Sequence, residues 1–319
     1  MNYSCQVSIC IPAYGRPEEL GVAIESVLSQ DFEELEVVVG DDSGDLEPVV
    51  NRFGDPRVRY LRNPRRLGMA GNWNAVLDRA DGRLLGLLMD DDRLLPGFVR
   101  STVSQFEEDP SLGVVFTNHL LDDGERLLER SCDLAGGKYE QFLPDFLEHM
   151  PVAVSAALMR KEVWRQVRPL PDLKTADVVM HVRAALAGWP FYYLQEPLMA
   201  YRAHSGQLSA REQFRDDVVE AWEQFEFSDR CERLRRRRLA TALVSRAAAH
   251  LKHRRPDEAC DDIARAMELD RPSVGLRGRV IRYLAAHPFL APAAIGFLSR
   301  AGLVSRNRVS EAAIMKSDT

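Results

Sequence analysis

The sequence predicts an α/β protein: a mixed, mainly parallel sheet flanked by helices, with an all-α appendage at the carboxyl end. Three observations carry that prediction. Short apolar strands and amphipathic helices alternate from Val7 to Met89, the pattern of a helix-covered parallel sheet. The apolar run from Leu84 to Met89 then stops abruptly at Asp90-Asp91-Asp92, which sets three acids at the sheet edge where such folds bind ligands. From about Arg211 strand signals vanish and Ala, Arg, Leu and Glu dominate, which divides the chain into residues 1–210 and 211–319.

Val7 to Ile11 reads as a strand, Pro12 to Pro17 as a break, and Leu20, Ala23, Ile24, Val27 and Leu28 as one face of a helix. Leu35 to Gly40 is a β-branched strand ending in Asp41 and Asp42, and Leu46 to Phe53 is a short helix. Val58 to Leu61 is a strand, Met69 to Asp78 a helix, and Leu84 to Met89 the strand of the acid run. A helix over Pro96 to Glu107 and a strand over Leu112 to Thr117 follow, then a turn at Asp122-Asp123-Gly124. Beyond it come a helix near Gln141 to His149, a strand over Val152 to Met159, a helix from Lys161, and a helix from Asp177 to Ala187. Two strands, Phe191 to Leu194 and Leu198 to Tyr201, close the first part, whose second half is mixed rather than alternating. In the appendage, Leu243 to Pro272 reads as a two-helix packing unit around an Arg-Arg-Pro turn.

At 319 residues, 45% apolar and 28% charged, the chain can bury a large core. A net charge of −6 argues against a general nucleic-acid binder, and the Arg cluster of Arg233 to Arg238 reads as a solvated helix face. Five scattered cysteines lack zinc-ligand or redox spacing, which points to a reducing compartment. The amino terminus carries no basic and apolar leader pattern, so a cytoplasmic location is expected. Tyr283 to Ser299 is uncharged, but its prolines and its length, near the lower limit of about 17 residues, argue against a spanning helix.

Loops after adjacent parallel strands converge on one crevice, so Asp41 with Asp42, Asp90 to Asp92, and Asp177 are expected in a single pocket. One carboxylate can accept from a pyrimidine N–H or ribose hydroxyls, another can bind a divalent cation, and a third can serve as a base. The competing structural readings are a plain Asp-Asp-Ser-Gly-Asp turn for Asp41 and Asp42, and a first-turn helix acid for Asp177.

These residues together resemble the inverting family 2 glycosyltransferases of the GT-A fold. The resemblance rests on Val7-Ser8-Ile9-Cys10-Ile11-Pro12-Ala13-Tyr14-Gly15-Arg16-Pro17, on Val37-Val38-Val39-Gly40-Asp41-Asp42-Ser43, and on Gly68-Met69-Ala70-Gly71-Asn72-Trp73-Asn74. It continues through Met89-Asp90-Asp91-Asp92 before Pro96 and Tyr201-Arg202-Ala203-His204 with Ser209. It implies a GT-A, Rossmann-like fold and an enzyme moving a sugar from a nucleotide-diphosphate donor, UDP- or dTDP-linked, to an acceptor hydroxyl on a glycan, lipid-linked sugar or small molecule. Mn²⁺ or Mg²⁺ is the implied cofactor.

Carried over by position, Pro12, Ala13, Tyr14 and Arg16 form the loop under the nucleotide, and Asp41 or Asp42 contacts base and ribose. Gly68 and Asn72 lie near the diphosphate. Asp90 to Asp92 are the Asp-x-Asp metal motif, with Asp92 and Asp91 the favoured ligands and His204 a third metal or diphosphate contact. Asp177 takes the general base position. The chain departs from the family at Met89 and Ala176, where relatives often carry acids, and at Gly71, where they often carry Arg. A sugar-phosphate nucleotidyltransferase is disfavoured because no Gly-rich phosphate loop follows the first strand; a non-catalytic scaffold would not need acids at all three places. Arg277, Arg279 and Arg282 before Phe289, Leu290, Ile295, Phe297 and Leu298 match a peripheral membrane contact, against the alternative of a helix packed on the appendage's own core.

Overall fold

The computed structural model describes residues 5–130, 132–204 and 213–287. The chain divides into two compact units after His204. The first unit runs β1 (Val7–Ala13), α1 (Pro17–Leu28), β2 (Leu35–Asp41), α2 (Glu47–Asn51), β3 (Val58–Arg62), α3 (Gly68–Arg79), β4 (Leu84–Leu87), β5 (Arg93–Leu94), α4 (Phe98–Glu108), β6 (Val114–Asp122), β7 (Leu127–Glu129) and β8 (Gly137–Tyr139). It ends with α5 (Leu143–His149), a 3-10 turn at Val154–Ala156, β9 (Ala157–Arg160), α6 (Lys161–Val167), α7 (Ala176–Leu186) and β10 (Phe191–Arg202).

One sheet holds the strands in the order β3-β2-β1-β4-β9-β6-β10-β5, with β7 on β6 and β8 on β10. β1 pairs in parallel with both β2 and β4, so the strand order reverses between β1 and β4. That reversal opens a crevice at the carboxyl ends of the two strands. β9 is antiparallel to both β4 and β6, which makes the sheet mixed. β1 and β2 are buried along their whole length, which is why their sequences are continuous apolar runs and not alternating ones. Val37, Val39, Ile9 and Ile11 pack with Leu20, Ile24 and Val27 of α1 in the main core.

Three expectations change. The strand expected over Val152 to Met159 begins only at Ala157, because Val154–Ala156 forms a 3-10 turn that aims the Ser155 hydroxyl at Asp92. The two strands expected after Phe191 are one, β10, which keeps its pairing with β6 through register shifts on either side of Pro197; proline lacks the N–H a regular ladder needs. The Arg cluster in the appendage is not only a solvated face. Arg235 is buried, pairs with Glu232 and donates to the Trp222 carbonyl, while Arg236 donates to the carbonyls of Glu268 and Leu269.

The second unit contains α8 (Gln213–Glu223), α9 (Asp229–Lys252) and α10 (Pro256–Ala286). α9 and α10 form the expected helix pair, broken at Arg254-Arg255, and α10 is itself interrupted by non-helical backbone at Asp270 and Gly275. Arg246 on α9 forms a two-pronged bond to buried Asp262 on α10, tying the pair together. No described helix is long and apolar enough to cross a membrane.

Candidate active site

Two loops leave the sheet where its order reverses, and their side chains interlock. The β1 loop turns away at Tyr14, whose N–H donates to Asp90 Oδ2 at 3.0 Å. One nitrogen of Arg16, Nη1, then bridges Asp90 Oδ1 at 2.9 Å and Asp91 Oδ2 at 2.5 Å. His204, just past β10, brings Nε2 to 3.1 Å from the same Asp91 oxygen. Burial pushes the Asp90 carboxyl up to about 6 even with Arg16 beside it.

Asp92 faces the other way. Its Oδ2 accepts from Ser155 Oγ at 2.6 Å and its Oδ1 from the Arg202 N–H at 3.0 Å, and burial, then the charge of Asp91, push its carboxyl up to about 7. The favoured metal ligand of the sequence is therefore turned into the protein, where it anchors the β4 loop to the 3-10 turn and to β10. Asp91 and His204 meet at 3.1 Å on the exposed side of this loop. Among the described residues no cluster of three His, Cys, Asp or Glu could hold a metal ion. A carboxylate and an imidazole still suit Mn²⁺ or Mg²⁺ when a diphosphate and water complete the shell, so the residues fit an ion bound together with its ligand.

On the other side of the β1 loop lies an open cleft of about 700 Å³, lined by Tyr14, Asp42, Ser43, Arg62, Asn63 and Arg66 among others. The Arg66 guanidinium stands over the Tyr14 ring at 4.4 Å, and the ring is half exposed. Asp42 lines this cleft and Asp41 does not. Asp41 is fully buried and accepts five hydrogen bonds, from Ser43 N–H, Ser43 Oγ, Gly44 N–H, Leu46 N–H and Tyr60 OH. A carboxylate has about four acceptor positions, so none remains for a ligand. Burial raises the Asp41 carboxyl, but these bonds outweigh it and hold it at about 2. Asp42 accepts from Asn63 Nδ2 and from the N–H groups of Leu67 and Gly68 at the start of α3.

Asn72, expected near the diphosphate, is buried and absent from the cleft wall. Its Nδ2 donates to the Gly40 carbonyl at 2.8 Å and lies 3.5 Å from that of Ala13, so it clamps the ends of β1 and β2. Pro12 and Ala13 are likewise buried within β1. Gly68 has φ +77, which favours glycine, and its N–H is committed to Asp42.

Asp177 sits in the first turn of α7, and burial lifts its carboxyl up to about 6. Tyr201 of β10 feels the charge of Asp177 and of the acids of the β4 loop. Burial raises the Tyr201 phenol, and the charges of Asp92, Asp91 and Asp177 raise it further. His119 on β6 stands 6.0 Å from the Tyr201 ring, with its buried Nδ1 unpartnered among the described residues and its pKa lowered to about 3 by burial and then by Arg130.

Sequence reasoning missed Ser155, Tyr60, Arg66 and His119. No local signal marks Ser155 or Tyr60, because each acts only through a partner 63 or 19 residues away. Arg66 was visible as part of Pro64-Arg65-Arg66 and could have been weighed against the Arg missing at Gly71.

Known proteins support the same reading of the fold. The chain is similar to the structure of S. aureus TarS residues 1–349 in complex with UDP-GlcNAc, at TM-score 0.68 and 16% identity over 93% of this chain and 92% of that one. It is also similar to a mannosyltransferase of Pyrobaculum calidifontis in complex with GDP-Man and Mn²⁺, at TM-score 0.58 and 17% identity over 92% and 87%. In sequence, a 122-residue segment is 35% identical to the GalNAc(5)-diNAcBac-PP-undecaprenol beta-1,3-glucosyltransferase of Campylobacter jejuni, covering 37% of this chain and 39% of that protein. A 112-residue segment is 40% identical to an uncharacterized protein of Mycobacterium tuberculosis, covering 34% and 35%. Residues 8–168 match the family described as Glycosyl transferase family 2. Because that match takes in just over half of the chain, from β1 through α6 and both loops of the crevice, the chain belongs to glycosyl transferase family 2.

Proposed function

We propose that the protein is a metal-dependent, inverting glycosyltransferase that moves a sugar from a UDP- or dTDP-sugar to an acceptor hydroxyl. The observation that carries this reading is the β1 loop, which presents Tyr14 to the cleft on one side and binds Asp90 and Asp91 on the other. A nucleoside in the cleft, resting against Tyr14 with its ring N–H toward Asp42, would direct its diphosphate to Asp91 and His204. When bound there, a divalent ion supplies Lewis-acid neutralisation of the charge that develops on the departing diphosphate. Arg16 and Arg66 add positive charge along the same path. Asp177 takes the proton from the acceptor hydroxyl as that oxygen attacks. A single displacement from the face opposite the leaving group inverts the anomeric carbon.

The exposed surface of α10 supports a lipid-linked or glycan acceptor handled at a membrane surface from the cytoplasmic side. Leu276 and Tyr283 on α10 are 68% and 57% exposed, and they share a face with exposed Arg279 and Arg282. Apolar and aromatic groups flanked by arginines suit an anionic lipid surface. Phe289, Leu290, Ile295, Phe297 and Leu298 of the sequence argument lie outside the described residues, as does Ser209. The test of the assignment is calorimetry of UDP, dTDP and GDP with and without Mn²⁺, followed by nucleotide release from the matching sugar donors with a glycan or lipid-linked acceptor. Equal affinity for all three nucleotides with and without Mn²⁺, and no acceptor-dependent release, would refute it.

A further inference from the structure

We propose that Arg16 is an internal counter-cation for Asp91, which a divalent ion displaces only when a diphosphate arrives to take over the guanidinium. The inference rests on the reading that Asp91 and His204 hold the metal of a nucleotide-sugar site. Three consecutive acids end in this loop, with Asp90 and Asp92 buried. The Arg16 Nη1 bridge to Asp90 and Asp91 is the cationic contact that gathers two of them. The Asp91 oxygen it holds, Oδ2, is the same atom that faces His204 Nε2. A metal at about 2.1 Å from that oxygen would stand only about 4 Å from the guanidinium nitrogen that already holds it, so the two cations repel and compete for one acceptor.

The guanidinium has room to leave. Arg16 precedes the helix that starts at Pro17, its backbone is non-helical, and its side chain is one-third exposed. Its fork geometry matches paired phosphate oxygens, and the cleft that would bring a diphosphate begins at its neighbours Tyr14 and Gly15. Metal alone therefore competes with Arg16, whereas metal and diphosphate together replace one charge-assisted pairing by another. The protein should take up Mn²⁺ poorly without nucleotide and much better with it.

The experiment is a titration of the full chain with Mn²⁺, with the free ion read by electron paramagnetic resonance, alone and with saturating UDP or GDP. The wild type should bind Mn²⁺ at least about tenfold more tightly with a nucleotide than without. Arg16→Gln should bind Mn²⁺ alone about tenfold more tightly than the wild type, the scale of one charge-assisted hydrogen bond. Arg16→Lys keeps a cation at this point and should stay near the wild type. A merely structural Arg16 would give the opposite sign, with weaker Mn²⁺ binding in Arg16→Gln. Unchanged or weaker Mn²⁺-alone affinity in that variant, while the wild type still gains from nucleotide, overturns the exchange and leaves the metal site standing. No Mn²⁺ uptake by the wild type with either nucleotide overturns both.

Discussion

Asp177 carries the clearest chemistry of any single residue. Asp177→Asn should leave nucleotide affinity unchanged and lower transfer by roughly 10²-fold or more, measured as acceptor-dependent nucleotide release. Its carboxyl is raised from 3.8 to about 6 by burial. A base at this position works only when ionised, so under the proposed role the turnover rate should fall as pH drops through about 6. The stability sign is the reverse: a carboxyl raised on folding favours the folded state below about 3.8, and that contribution is lost as pH rises through about 6. Asp177→Asn should therefore melt a few degrees higher than the wild type at pH 8, roughly the shift of 1 kcal/mol or less in a domain of this size. A lower melting point would show that the charge is better accommodated than its surroundings indicate. Asp91→Ala should abolish the gain in nucleotide affinity that Mn²⁺ confers. Asp92→Ala should instead act mainly on stability, because it strips Ser155 and the Arg202 N–H of their partner.

Where strands end, buried polar groups hold the loops in place. Gly40 at the end of β2 lies so close to α3 that an added Cβ would meet Val76 Cγ1 at 2.1 Å and Asn72 Oδ1 at 2.5 Å. Gly40→Ala should cost about 1–3 kcal/mol by overpacking. Asn72→Ala should cost about 1–3 kcal/mol by leaving the buried Gly40 carbonyl without its donor. Chemical denaturation measures both, and a loss under 0.5 kcal/mol for either, well below the range of its mechanism, would contradict the tight junction of β2 and α3. Asp41 organises the loop after β2 in the same way. Its carboxyl is lowered to about 2, so its contribution is present above about 3.8 and lost as pH falls through about 2. Residues that the family pattern associates with substrate thus divide into those that line the cleft, Tyr14 and Asp42, and those that are buried and hold the strand ends and loops, Asp41 and Asn72.

At the scale of the whole chain, the appendage is where function is least tied to the crevice. The full chain should co-sediment with vesicles containing anionic phosphatidylglycerol and not with neutral phosphatidylcholine, and a Leu276→Ser, Tyr283→Ser double variant should reduce that binding several-fold. Equal binding to both vesicle types would remove the lipid surface from the reading. The periodicities of the sequence by themselves determined the alternating elements through β4, the acids at strand ends and the helical character after residue 211. Those are local properties, set by period 2 or 3.6 and by turn residues a few positions apart. Which acid lines the crevice was decided only by the tertiary structure. Asp41 and Asp42, or Asp91 and Asp92, are neighbours of identical chemistry, and no local pattern separates them. What separates them is which distant groups each one meets: Tyr60 for Asp41 and Asn63, Leu67 and Gly68 for Asp42, Ser155 and Arg202 for Asp92 and Arg16 and His204 for Asp91. Burial without such a partner is costly, so the fold turns each acid toward whichever groups can satisfy it and leaves Asp42 and Asp91 at the crevice.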